Sequence, residues 1–134
     1  MALEALFEHR LPPHLGCAEL YLDRERFKPV ESIEDARIGD LVWFGIRNAL
    51  QKPEEVVLRY NERGELVNWR DFPVRHVAVH TGAEEAGVPL LLHATFMNGG
   101  KNAIWPLTEF DKHPRYSRLY GVTRLAMANA NIQA

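Results

Sequence analysis

Apolar and polar positions along the chain read as a short helical N-terminal part followed by strands. Ala2 to His9 has helical spacing, and Pro12 and Pro13 stop it, because proline lacks an N–H and disfavours helix in the residue before it. A second helix is predicted from Gly16 or Cys17, with Leu20, Leu22 and Phe27 as its apolar stripe and Asp23 to Arg26 as its charged side. Ser32 to Asp35 resembles a capped helical turn, and Gly39 and Asp40 precede the apolar run Leu41 to Phe44, a buried strand. Val56 to Tyr60 and Leu66 to Trp69 read as a strand pair around an Asn61 to Gly64 turn. Arg75 to Thr81, Pro89 to Thr95, Ala103 to Leu107 and Leu119 to Leu125 supply four more strands, with turns at Gly82, Gly87, Gly99 and Gly100. The expected architecture is α+β, with N-terminal helices packed on a central antiparallel sheet. One domain covers residues 1–125, with residues 46–74 as an insertion between core strands, and residues 126–134 form a tail.

Composition narrows the partners. A chain of 134 residues, 46% hydrophobic and 25% charged, can bury one core and not two. A net charge of −2 and a pI near 6.3 leave no broad cationic surface, which argues against nucleic acid and membrane as partners. The apolar runs are far shorter than a bilayer span, and Met1 to Arg10 carries two glutamates, so neither an anchor nor a signal peptide is predicted. One cysteine forms no intrachain disulfide. Cytoplasmic residence is the default expectation, with export by another route left open; oligomeric state is not legible.

Candidate chemistry sits in three places. Cys17 follows a glycine at a predicted helix start, where free N–H groups and the helix dipole favour a thiolate and lower its pKa below the usual value of about 8.5. In His76 to His80, alternation puts His76, Ala78 and His80 on one face and Val77 and Val79 on the core side. His93 closes the next strand, and a hairpin would bring it beside His76 to fix that ring's tautomer. Other readings stand beside this one. A lone cysteine is commonly a buried hydrophobe, and His76, His80 and His93 also suit a three-histidine zinc site, set aside because no acidic partner motif accompanies them. No cofactor or metal is expected. Trp43, Phe44 and Trp105 fit a core or cleft wall, and Asp40 a turn or strand start. His9, His14 and His113 read as solvated groups, with His14 alternatively bordering the cleft beside Cys17.

Cys17, Ala36 to Phe44 (with Gly39, Asp40, Leu41 and Val42), His76 to Gly82 and Leu91 to Ala94 occur in the order found in the NlpC-type cysteine peptidases, which the chain resembles over residues 16–125. That family, papain-like in fold and related to CHAP domains, cuts peptide stems of bacterial cell walls. The resemblance implies Cys17 as nucleophile, His76 as general base and acid, and His93 as its orienting partner. His80, Trp43 and His14 are then expected to line the substrate cleft, and the insertion to cover it. Two function classes follow. The first is a cysteine peptidase or amidase acting through an acyl-enzyme, which an amine or alcohol can also capture in acyl transfer. The second is a non-catalytic binding or structural module in which Cys17 is a core residue.

Overall fold

A computed structural model describes residues 17–94 and 101–126. The predicted helix over Ala2 to His9, the turn at Gly99 and Gly100, and nearly all of the tail lie outside the described residues. Six strands build one antiparallel sheet: β1 (Phe27–Val30), β2 (Leu41–Gly45), β3 (Val74–Glu85), β4 (Val88–Ala94), β5 (Asn102–Pro106) and β6 (Arg118–Leu125), in the order β1-β6-β2-β3-β4-β5.

The protein is mainly β, which corrects the expectation of an α+β papain-like fold with a helical layer. Among the described residues the only α-helix is α1 (Cys17–Leu22), six residues long; the remaining helical pieces are short 3₁₀ turns. The helix stops early because the Asp23 carboxylate accepts the N–H groups of Glu25 and Arg26, at 3.1 and 3.0 Å, which offers the backbone a turn in place of another helical step. Phe27, assigned to the helix stripe from its spacing, instead opens β1 opposite Leu125 and is fully buried.

The strand Leu41 to Phe44 forms as its pattern requires. Leu41 and Trp43 enter one core cluster with Tyr21, Phe27, Phe72 and Val74. Val42 and Phe44 enter the other, with Ala78, Leu91, Phe110 and Val122. Two buried faces explain why this strand reads as continuously apolar. Trp43 places its indole N–H 2.9 Å from the Thr123 hydroxyl, so the largest buried side chain carries no orphaned donor.

Asp40 acts at the turn before β2. Its carboxylate, almost wholly buried, accepts two bonds from the Arg124 guanidinium, at 2.9 and 2.8 Å, and the Arg37 N–H at 2.8 Å. Its carbonyl takes the His80 N–H, joining the turn to β3.

The insertion is not a strand pair. Tyr60 and Leu66 form one isolated bridge, and the Asn61 to Gly64 turn is present, but the flanks do not extend into a ladder. Asn68 replaces the ladder, accepting the Arg59 N–H and donating to the Val57 carbonyl, both at 2.8 Å. Val56 and Phe72 anchor the segment in the core cluster around Trp43, whereas Val57 and Val67 remain exposed. The β3–β4 hairpin turns at Ala86 and Gly87, both left-handed, while Gly82 (φ +84°) serves a break in register inside β3 rather than a turn. Among the described residues no helix is long and apolar enough to cross a membrane.

Candidate active site

His76 and His93 reach one another through the β3–β4 register. Val79 faces Leu92, so by continuation His93 lies opposite Ala78 and diagonal to His76. Ala78 has no side chain beyond its Cβ, and the two rings meet across it with His76 Nε2 and His93 Nδ1 2.8 Å apart and their planes nearly perpendicular at 84°.

Aromatic rings cover the pair. His93 stands edge-to-face with Trp105 at 4.3 Å and against Phe110 at 4.7 Å, and it is buried. His76 is half-buried, with the Tyr116 ring stacked at 5.8 Å and 18° and the His113 ring at 6.0 Å. Burial first, then the neighbouring His93 and His113, push the His76 pKa down to about 4. Burial, then His113, push that of His93 down to about 4 as well. Both imidazoles are therefore neutral at pH 7. One proton is shared along the Nε2–Nδ1 contact, and the other His93 nitrogen is buried without a hydrogen-bond partner. His76 Nδ1 is left as the nitrogen that His93 does not engage.

Cys17 belongs to a different environment. It opens α1 and packs against the cluster that contains Val77 and Val79, on the opposite face of β3 from Ala78. Among the described residues no hydrogen bond joins its thiol to His76. The pKa is pushed up to about 11, by burial first and then by Glu19, the reverse of the lowering expected from a helix start. A six-residue helix has little dipole to offer against desolvation. The thiol lines a cleft of about 470 Å³ whose walls include Leu66 and Trp69 from the insertion, Arg75 and Tyr116. Tyr116 belongs to both environments, as the wall of the Cys17 cleft and the ring against His76.

The other expected cleft residues lie elsewhere. Trp43 is fully buried and T-stacked with Tyr21 at 5.5 Å, which removes it from any substrate surface. His80 shares the face of His76 but is buried, and its Nδ1 accepts the Gly82 N–H at 3.0 Å. That bond and the distance along the strand separate it from the histidine pair. Among the described residues no set of three or more His, Cys, Asp or Glu converges as metal ligands, which corrects the three-histidine alternative. His14 lies outside the described residues. His113, read from its surroundings as solvated, is partly buried within the ring cluster.

Phe110 and Tyr116 escape the sequence reading, and His113 reads there as a solvated group, because they lie in a short 3₁₀ segment (Leu107–Lys112) and the loop after it, where no period marks an inward face. Compared with family models, with curated proteins and with solved structures, the chain finds no match in any of the three.

Proposed function

We propose that the protein hydrolyses an amide bond of a peptide, with the His76–His93 pair as its acid–base element and Cys17 as the nucleophile. The observation that carries this reading is the 2.8 Å contact between His76 and His93, with Tyr116 as the residue common to that pair and to the cleft that Cys17 lines. The proposed role requires the tautomer in which His76 Nε2 donates to His93 Nδ1 and leaves the Nδ1 lone pair to take the proton, on a ring whose basicity burial has lowered.

With a thiol held protonated, the first step is general-base catalysis rather than attack by a standing thiolate. Sulfur attacks the scissile carbonyl carbon as His76 takes the thiol proton. The imidazolium passes that proton to the leaving amine as the C–N bond breaks, leaving a thioester. His76 then deprotonates water, which attacks the thioester carbonyl and regenerates the thiol. Interception of the thioester by an amine or alcohol would make the same site an acyl transferase. The resemblance to the NlpC-type peptidases implies a bacterial cell-wall stem peptide as the substrate class, with cytoplasmic residence as the accompanying proposal.

A second reading, a binding module, is favoured by the packing of Cys17 within the Val77 and Val79 cluster and by its raised pKa. Alkylation separates the two. If Cys17 is the nucleophile, iodoacetamide modifies it at neutral pH faster than a thiol of pKa about 11 allows, and His76→Ala slows the reaction. An alkylation rate that follows simple thiol titration and ignores His76→Ala selects the binding module.

A further inference from the structure

We propose that His113 is a positioning residue whose ring nitrogen holds Tyr116 as the wall between the Cys17 cleft and His76. The role rests on the amidase reading above, since it concerns the passage between nucleophile and base. His113 Nδ1 accepts two backbone N–H groups, those of Arg115 and Tyr116, each at 3.1 Å. Its ring also stacks on that of Tyr116 at 5.0 Å and 22°. The loop His113 to Tyr116 is thus clamped at the backbone and at the ring by one side chain. Tyr116 in turn stacks on His76 and lines the cleft that Cys17, Arg75 and Trp69 also line.

The clamp works only with a neutral ring. Two N–H groups aim at the Nδ1 lone pair, so the His113 proton sits on Nε2, and a proton at Nδ1 would face two donors. Burial and then Arg115 lower the His113 pKa, in the direction the clamp requires.

The chemistry of the turn supplies a clean test, because an asparagine Oδ1 can accept the same N–H groups two and three residues ahead. In the full chain, His113→Ala is expected to speed hydrogen exchange at the Arg115 and Tyr116 amides about tenfold, the change that losing an ordinary hydrogen bond produces. The same variant should raise the rate of Cys17 alkylation at pH 7 by loosening the Tyr116 wall. His113→Asn should leave both readouts at the wild-type level, and Tyr116→Ala should reproduce the faster alkylation. The proposal is overturned if His113→Ala leaves the exchange of those amides unchanged, or if His113→Asn behaves as His113→Ala does. Faster amide exchange with unchanged alkylation would overturn the wall, while the His76→Ala alkylation test judges the nucleophile separately.

Discussion

The two faces of β3 carry neighbouring residues into unlike chemistry. Val74, Val77 and Val79 meet α1, Trp43 and Phe72 in an apolar layer, whereas Ala78 packs in the cluster of Phe44 and Leu91 and His76 meets a lid of aromatic rings. The first face needs only area removed from water. The second buries polar rings, so it must supply partners, and it does so through the His76–His93 bond and the Gly82 N–H on His80. Cys17 lies on the first face and His76 on the second, and Tyr116 touches both environments.

Large truncations on the two faces should cost alike and differ in what they do to the histidines. Trp43→Ala and Phe110→Ala each remove a fully buried ring, and each should lower stability by about 3–5 kcal/mol in urea denaturation. Phe110 packs against His93 at 4.7 Å and Phe44 at 4.2 Å, so its loss admits water to the pair. Both imidazole pKa values should then climb toward 6.5 in an NMR titration. Trp43→Ala should leave them near 4. Equal histidine titrations in the two variants would mean that the faces are not independent.

Acid should weaken the histidine face first. Both pKa values lie near 4 in the folded protein against 6.5 in the unfolded chain, so between those values the unfolded state binds more protons. The contribution of the pair is therefore complete above pH 6.5 and declines as pH falls toward 4. Urea midpoints from pH 7 to pH 4 measure the decline, and His93→Leu should make it shallower. A midpoint with the same slope in wild type and His93→Leu would detach the pair from the acid response.

Much of the sheet was legible because its signals are local. Leu41 to Phe44 and the His76 to His80 alternation carry a period of two, and period alone assigns a side to each residue. The meeting of His76 with His93 was legible too, since a hairpin needs only its register. Elements set by competition were not. The Asp23 carboxylate ends α1 after six residues, short of Phe27, the end of the expected helical stripe. Asn68 took the backbone bonds that a strand pair in the insertion required. The raised pKa of Cys17 depends on which apolar groups close over it, and the Tyr116 wall on a loop clamped by one histidine nitrogen. Neither leaves a mark in spacing.

The smallest effect tests the apolar face at its one polar joint. Thr123 is buried, and its hydroxyl is the partner of the Trp43 indole N–H at 2.9 Å. Thr123→Val keeps the shape of the side chain and removes the acceptor, leaving a buried donor without a bond. The cost should be about 1–3 kcal/mol, below that of either ring truncation. Trp43→Phe removes the donor instead. The double variant, with neither group left to satisfy, should be less destabilised than the sum of the single changes. Urea midpoints for the three variants measure that coupling, and strict additivity would show that the bond contributes nothing. Because Thr123 faces Leu41 across the β2–β6 pair and not the histidines, the titration of His76 and His93 should stay as it is in all three. A shift there would show that strain on the valine face crosses the sheet to the histidine pair.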